Sequence, residues 1–226
     1  MNEKKVLLLV GSPRGTASVS DALGSHLLSL LEKHRMATKK LLLYPALANE
    51  KKMTALLVAV GACSLLVLSF PLYVDQLPAP LIDLLRRIAE RRQGRHTTPD
   101  QSLTAIVNCG FPETVHCNPA RDITRIFAEQ AGFHFLGCLA MGMGGAIGKR
   151  KLDQGGGLVR HQVKAMAQAA AYLAAGEEIP AAVIQLMGKA MMPYWFYKLA
   201  GNWGWTWGAR KNRTSRRLND QPYGDG

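Results

Sequence analysis

The sequence predicts an α/β fold in which five strands form one parallel sheet with helices on both faces. Short apolar runs alternate with helical stretches along most of the chain, as in repeated strand–helix–strand units. The central runs are almost continuously apolar, which is typical of parallel strands buried on both faces. Loops rich in glycine, proline and polar side chains follow several of these runs. Ligands of open α/β sheets bind at this carboxyl edge, so the loops are the first candidates for a site.

The elements follow one another in a regular order. The first strand is predicted at 5–10, where the apolar run KVLLLV stops at a glycine. The helix after it covers 18–33, where apolar residues recur at i, i+3 and i+4. The second strand is predicted at 40–44, in KLLLY, and a helix follows near 50–61.

The rest of the domain repeats this alternation. The third strand (64–70) precedes an amphipathic helix (79–92), the fourth strand (103–109) precedes a helix (119–132), and the fifth strand (133–141) precedes an alanine-rich helix (158–175). Residues 1–178 therefore form one α/β domain, and residues 179–226 form a C-terminal helical extension that is rich in aromatic and basic residues.

One segment is apolar enough to raise the question of a membrane span. Residues 54–74 carry no charge over 21 positions, which is nominally long enough to cross a bilayer. Small residues at 61–64 break the run in two, and Pro71 closes it. We interpret the first half as a buried helix and the second half as a buried strand of the sheet.

Charge and cysteine content exclude several classes of site. The net charge of +12 is concentrated at the C-terminus, where no acid lies between Glu178 and Asp220. Stacking of single-stranded nucleic acid on the aromatic residues of that segment is an alternative without support from the fold, and we expect no nucleic-acid partner. The four cysteines are widely spaced and the histidines lack ligand spacing, so we expect no metal site. Apolar surroundings of the cysteines and an N-terminus unlike a signal peptide indicate reduced thiols in a cytoplasmic protein.

The loop after the first strand, GSPRGTASVS at 11–20, is the first candidate site. A P-loop would need a lysine before its Ser/Thr, and a dinucleotide fingerprint would need a different glycine spacing, so both are disfavoured. Hydroxyls and Arg14 running into a helix N-terminus suit an anion such as a phosphate. The alternative is a plain turn in which Ser18 caps the helix. The stretch alone leaves both open.

Two further loops at the same edge point to a flat ligand. Tyr73 and Asp75 lie in a proline-bracketed loop after the third strand, and the segment NCGFPE at 108–113 follows the fourth. An aromatic ring beside prolines and backbone amides suits a flat heteroaromatic molecule. The alternatives are a surface tyrosine and a packing role for Phe111.

These three stretches together resemble the flavodoxin-like NAD(P)H-dependent FMN reductase family, over about residues 4–175. The resemblance implies a flavodoxin-like, doubly wound sheet of order 2-1-3-4-5 with FMN at its carboxyl edge. It also implies NADPH or NADH as co-substrate, a small-molecule electron acceptor such as a quinone or a flavin, and a homodimer. A flavodoxin-like FMN-binding electron-transfer module without its own NAD(P)H turnover is the alternative.

The resemblance also assigns residues to the cofactor. In the first loop, the residues that would hold the FMN phosphate are Ser12, Arg14, Ser18 and Ser20, and Val19 stands where the family often has asparagine. The residues that would lie along the isoalloxazine ring are Pro71, Leu72, Tyr73, Val74 and Asp75. Those that would close its other side are Asn108, Gly110, Phe111 and Glu113.

The flavin would perform the redox chemistry, so we expect no catalytic residue of the chain itself. His116 and Cys117, near the third loop, are interpreted as incidental rather than as a nucleophilic pair. The glycine-rich stretch at 141–151, with Lys149 and Arg150, either contacts the flavin or the nicotinamide phosphate or is only a connection.

The C-terminal extension carries all four tryptophans of the chain, next to a basic run. Aromatic residues beside cations suit a subunit interface or an anionic membrane surface. Packing against its own domain or a second subunit is favoured from the sequence, with peripheral membrane contact as the second interpretation.

Overall fold

The structure is a computed structural model that describes residues 4–93, 100–147, 151–218 and 220. Its parallel sheet consists of β1 (Lys5–Val10), β2 (Ala37–Leu42), β3 (Leu65–Pro71), β4 (Ser102–Asn108) and β5 (His134–Met141). The order across the sheet is β2-β1-β3-β4-β5, which confirms the predicted flavodoxin-like arrangement. Strand order reverses between β1 and β3, so the loops that follow these strands diverge and leave a crevice at the carboxyl edge.

Helices cover both faces of the sheet, as predicted. The helices in the described ranges are α1 (Val19–Lys33), α2 (Leu43–Leu47), α3 (Glu50–Ala62), α4 (Ala79–Arg92), α5 (Asn118–Gln130), α6 (Arg160–Ala175), α7 (Ala181–Met187) and α8 (Tyr194–Lys211). Two apolar cores result, one between the sheet and α1, α6 and α7, and the other between the sheet and α2 to α5. Leucines of β1 enter both cores, because successive side chains of a strand point to opposite faces.

The contact between α1 and β1 is unusually close. A Cβ added to Gly24 of α1 would lie 2.7 Å from Cδ1 of Leu8 in β1, and Leu8 is fully buried. The glycine therefore lets the helix axis approach the sheet, and this approach fixes where the N-terminus of α1 meets the strand ends.

The second strand starts and ends earlier than predicted, at 37–42 instead of 40–44. β2 is an edge strand, so its polar residues Thr38 and Lys39 pair with β1 although they lack an apolar pattern. The apolar residues after it form the short helix α2, in which Pro45 occupies the first turn. A proline is tolerated there because first-turn amides have no intrahelical acceptor.

The division between the two parts of the chain also lies later than predicted. The chain separates into a unit at 1–191 and a unit at 192–226, rather than after residue 178. Ile179, Val183 and Met187 are buried in the core that contains α6, so α7 belongs to the α/β unit. The alanine-rich end of α6 does not mark the end of the domain, because the chain returns to the sheet.

The two outer strands of the sheet differ in what lies along their free edges. At the edge of β5, the backbone N–H of Ile179 donates to the carbonyl oxygen of Leu136 over 2.8 Å. β2, at the other edge, exposes Lys39 and Lys40, and Lys40 forms an ion pair of 2.8 Å with Asp21 of α1.

The uncharged segment at 54–74 is divided between α3 and β3, as predicted, and both halves contribute to the core of the sheet. None of the helices among the described residues is long and apolar enough to traverse a bilayer.

The unit at 192–226 consists of α8 and a single 3-10 turn over Ser215–Arg217 within its described residues. The chain reverses after α8, where Arg213 has a φ of 58° and the amide of Thr214 donates to the carbonyl oxygen of Ala209.

Candidate functional site

The carboxyl edge of β1, β3 and β4 contains an open cavity of about 790 Å³. This volume lies in the range of small-molecule and cofactor sites. Ten of the fourteen predicted site residues line it, namely Ser12, Arg14, Ser18, Val19, Ser20, Pro71, Leu72, Tyr73, Asn108 and Gly110. The structure therefore brings residues from all three predicted loops to one cavity.

Four cavity residues were not assigned from the sequence: Ala17, Cys109, Gly144 and Gly145. Ala17 and Cys109 lie inside the predicted loops, between assigned positions. Gly144 and Gly145 belong to the glycine-rich stretch after β5, for which flavin contact was one of two interpretations. Lys149 and Arg150 of that stretch lie outside the described residues.

The first loop leads into α1 through a tight turn. The amide of Gly15 donates to the carbonyl oxygen of Ser12, and Gly15 has a φ of +54°, a conformation that glycine adopts without strain. Ser18 is the N-cap of α1, because its Oγ accepts from the amide of Asp21 over 3.0 Å. The hydroxyl of Ser18 also donates to the carbonyl oxygen of Gly15. The hydroxyl of Ser18 therefore makes its hydrogen bonds within the first loop and the first turn of α1.

Ser20 ties α1 to the neighbouring strands. Its buried hydroxyl donates to Oδ1 of Asn108 at the end of β4, over 2.7 Å. Its carbonyl oxygen accepts from the hydroxyl of Ser69 in β3, also over 2.7 Å. These two bonds hold the start of α1 against the ends of β3 and β4, so the first and third loops have a fixed relative position.

Two side chains of the first loop are available to bind a ligand. Ser12 is 3% exposed and Arg14 is exposed, and within the described residues neither side chain has a hydrogen-bond or ion-pair partner. The amides of Val19 and Ser20, in the first turn of α1, have no intrahelical acceptor by helix geometry. A buried hydroxyl, a guanidinium and a helix N-terminus form a donor set suited to an anion.

The nearest acid of α1 does not cancel this positive charge. Asp21, in the first turn, accepts from the ammonium group of Lys40, and its side chain is only 11% exposed. Lys40 also donates to the hydroxyl of Ser25. The carboxylate is therefore neutralised locally, and among the described residues that line the cavity Arg14 is the cation.

The second loop begins in contact with β4 and ends in a two-residue hairpin. The amide of Leu72 donates to the carbonyl oxygen of Asn108 over 2.9 Å. Tyr73 and Gln76 then exchange two backbone hydrogen bonds, with Val74 and Asp75 at positive φ between them. Val74 is 96% exposed, and neither Val74 nor Asp75 lines the cavity. The structure therefore separates these two residues from the three before them.

The third loop packs on the chain that follows β5. The amide of Gly144 donates to the carbonyl oxygen of Cys109, and that of Met143 to Phe111. A Cβ on Gly142 would lie 2.4 Å from the carbonyl oxygen of Pro112, so the two backbones can meet only with glycine there. This contact brings Gly144 and Gly145 to the cavity.

Phe111 and Glu113 are exposed and do not line the cavity, unlike Asn108 and Gly110. The ring of Phe111 stacks on His116, with 4.2 Å between the ring centroids. Nδ1 of His116 lies 3.9 Å from Oδ1 of Asp75. Phe111, His116 and Asp75 therefore form a contact between the second and third loops.

Two buried thiols lie close together here, Cys109 in the third loop and Cys117 just after it. A hydrogen bond from Cys117 lowers the pKa of the Cys109 thiol, and the same hydrogen bond, with burial, raises the pKa of Cys117. Cys109 lines the cavity, and its Sγ lies 3.6 Å from the carbonyl oxygen of Phe111. In the described ranges there is no group of three or more His, Cys, Asp or Glu residues that could hold a metal ion.

Comparison with known proteins identifies the fold. No protein-family model and no curated protein matches the sequence. Among solved structures, an FMN-dependent NADH-azoreductase from Bacillus anthracis, in complex with FMN, is 15% identical; the match covers 76% of this chain and 99% of that one, with a TM-score of 0.55.

Two further structures match over a similar part of the chain. The Trp repressor binding protein from Bacillus subtilis is 16% identical, and the match covers 74% of this chain and 98% of that one, with a TM-score of 0.53. A flavone reductase is 12% identical, and the match covers 76% of this chain but only 62% of that one, with a TM-score of 0.56. At these identities the likeness establishes a shared fold.

Proposed function

We propose that this chain binds FMN in the cavity at the carboxyl edge and acts as an oxidoreductase. Electrons would pass from NADPH or NADH to a small acceptor such as a quinone or a flavin. The observation that carries the proposal is the convergence of three loops on one cavity. Arg14 and the buried hydroxyl of Ser12 lie in the first loop, and the segment from Pro71 to Tyr73 lies in the second. The matched azoreductase, whose structure holds FMN, and the flavone reductase support the same assignment.

The phosphate would bind at the first loop. Ser12, Arg14 and the first-turn amides of α1 are the free donors there. Ser18 and Ser20, which the resemblance assigns to the phosphate, use their hydroxyls within the protein in this structure. We therefore assign Ser18 to the shape of the loop and Ser20 to the position of α1, with its backbone amide facing the ligand.

The isoalloxazine ring would lie between the second and third loops. Pro71, Leu72 and Tyr73 line one part of the cavity, while Asn108, Gly110 and Gly144 line another. A Cβ built on Gly110 meets no atom within 4 Å, so the backbone there borders open space that a flat ring can enter. Tyr73 is 45% exposed, which places an aromatic side chain at the rim.

The chemistry divides between cofactor and protein. When bound, FMN supplies hydride and single-electron transfer. The chain would hold the phosphate through Arg14 and Ser12. The Ser69–Ser20 and Ser20–Asn108 bonds fix the ends of β3 and β4, where the two ring-binding loops start, relative to α1. The open side of the cavity leaves room for a nicotinamide and then for the acceptor. Homodimer formation stays a prediction.

Absorbance spectroscopy and FMN titration test the proposal directly. The purified protein, or the apoprotein with added FMN, should show flavin absorbance and quench flavin fluorescence on binding. Arg14→Ala should weaken FMN binding about tenfold or more, because it removes a charge-assisted hydrogen bond. Thr16→Ala, in the same loop but outside the cavity, is the matched control and should change the affinity less than about twofold.

A second measurement separates the enzyme from the electron-transfer module. Steady oxidation of NADPH or NADH in the presence of a quinone supports the reductase. Tight FMN binding without nicotinamide oxidation supports the module instead. A protein that takes up no FMN, or equal and negligible effects of Arg14→Ala and Thr16→Ala, would contradict the assignment of the site.

A further inference from the structure

The helix α8 exposes a row of bulky apolar side chains. Trp195, Leu199, Trp203 and Trp207 are spaced four residues apart, so they follow one another along a single face of the helix. Their side chains are 67%, 60%, 79% and 68% exposed. We call this row the aromatic ridge. At 1.5 Å per residue it extends over about 18 Å.

The opposite side of α8 is built differently. Gly201, Gly204 and Gly208 lie there, and together with Thr214 and Leu218 they border a cavity of about 490 Å³ within the C-terminal unit. The segment after the helix thus folds towards the glycine face and away from the aromatic ridge. The ridge is therefore the convex, bulky side of this unit.

The charge around the ridge has one sign. No acidic residue lies between Glu178 and Asp220. The basic residues on α8 and just after it are Lys198, Arg210, Lys211, Arg213, Arg216 and Arg217. The aromatic ridge is thus combined with six positive charges, and the acid nearest to them in the sequence is Asp220, three residues after Arg217.

These features point to one partner. We propose that α8 lies on an anionic phospholipid bilayer, with the aromatic ridge inserted at the headgroup level and Arg210 and Lys211, in the last turn of the helix, near the lipid phosphates. Tryptophan suits this level, because its ring is apolar and its N–H can still reach water or a headgroup. A helix lying on the surface also agrees with Lys198 in its second turn, a cation that would be costly inside the hydrocarbon core.

Two other partners fit the same surface less well. A second copy of the chain would bring two clusters of like charge together, which opposes association through this surface. Single-stranded nucleic acid binds in a basic groove with aromatic rings on which bases stack. The ridge is convex and includes the aliphatic Leu199, which offers no stacking surface. A flat bilayer accommodates both a convex ridge and an alkyl side chain.

The tryptophans allow a direct measurement, because all four in the chain lie on α8. Intrinsic tryptophan emission of the whole protein therefore reports on this helix alone. The experiment compares vesicles of phosphatidylcholine with vesicles that contain one third phosphatidylglycerol. We expect a blue shift of the emission and co-flotation of the protein with the anionic vesicles, and much weaker effects with the neutral ones.

Matched variants test the face and the charge separately. Trp203→Ala combined with Trp207→Ala removes half of the ridge and should lower vesicle affinity by about tenfold or more. Trp205→Ala removes a tryptophan of equal exposure (80%) from another face, and should lower it less than about threefold. Arg210→Gln combined with Lys211→Gln, in the last turn of α8, should lower affinity for anionic vesicles roughly twentyfold and leave affinity for neutral vesicles unchanged.

Several outcomes would overturn the proposal. The first is an absence of co-flotation and of emission shift with anionic vesicles at low salt. Equal losses for the ridge variant and for Trp205→Ala would show that the ridge has no special role. A blue shift that grows with protein concentration in lipid-free buffer would assign the ridge to a second copy instead. A shift produced only by an oligonucleotide would assign it to nucleic acid.

Discussion

The hydroxyl of Ser20 and the side-chain oxygen of Asn108 are joined by a buried hydrogen bond of 2.7 Å between the start of α1 and the end of β4. This bond links two segments that are 88 residues apart, and both segments line the candidate FMN cavity. The cavity therefore depends on a polar contact within the protein as well as on apolar packing.

Ser20→Ala should lower the free energy of unfolding by about 1–3 kcal/mol, because it leaves the buried oxygen of Asn108 without its donor. Urea denaturation followed by circular dichroism measures the change. Ser29→Ala is the control, since the hydroxyl of Ser29 bonds a carbonyl oxygen on the exposed side of the same helix. It should change the free energy of unfolding by less than about 0.5 kcal/mol. Equal effects of the two variants would mean that the Ser20–Asn108 bond contributes nothing specific.

The same substitution at two helical glycines should have opposite effects. Gly61→Ala, in α3, adds a Cβ that meets no atom within 4 Å, and it should stabilise the fold by about 0.5–1 kcal/mol. Gly24→Ala, in α1, places its Cβ 2.7 Å from Leu8 and should destabilise the fold by about 1–3 kcal/mol. Thermal denaturation of both variants checks the signs. A stabilised Gly24→Ala would show that α1 can move away from β1 at little cost.

Val74 occupies a left-handed conformation that a β-branched residue rarely adopts. Its φ is 49°, and its side chain is almost entirely in solvent, so no packing offsets the strain. Val74→Asn should raise the free energy of unfolding by about 1 kcal/mol, since asparagine tolerates this conformation. Val115→Asn, at another exposed valine, serves as the comparison and should have no stabilising effect. If the two variants behave alike in thermal denaturation, the strain at Val74 is not significant.

Stability should fall as the pH rises above 9. Burial raises the pKa of Cys63 to about 11 and that of Cys138 to about 12, from an ordinary value of 9.0. The folded state then holds protons that the unfolded state loses, so the stabilisation present below pH 9 is lost as the pH rises towards the folded-state pKa. Each thiol contributes up to about 1.4 kcal/mol per pH unit in this window.

Urea denaturation at a series of pH values measures this loss. In Cys138→Ala the dependence on pH should be shallower than in the unsubstituted protein, by the contribution of one thiol. The difference between the two proteins cancels the lysines that titrate in the same range. Parallel curves for the two proteins would show that Cys138 does not take part.

The sheet and most helices could be predicted because apolar periodicity determines them. β1 and β4 are mostly apolar runs, β3 is the second half of the uncharged segment at 54–74, and α4 matches its predicted bounds at 79–92. β2 is the exception, because pairing with β1 at the sheet edge decides its position and its own side chains are half-exposed. α7 was placed in the extension because nothing in its seven residues shows that they return to the core of the domain.

The candidate site was predictable where loop residues directly follow a strand, and less so further along each loop. Pro71 to Tyr73 line the cavity, whereas Val74 and Asp75 turn away in a hairpin of positive φ. Such a turn usually carries asparagine and glycine, so these residue types gave no signal of it. The contributions of Gly144 and Gly145 depend on the close approach of Gly142 to Pro112, a contact between loops that are distant in sequence.

The residues at the free edges of β5 and β2 limit how two copies of this protein can associate. On one side, the backbone of Ile179 already occupies part of the β5 edge. On the other, a strand added to β2 would have to pass Lys39 and Lys40, and it would disturb the ion pair of Lys40 with Asp21. A continuous ten-stranded sheet across a dimer is therefore disfavoured. Helices and loops are left as the surfaces through which a dimer would form, so the loops around the cavity are free to take part in it.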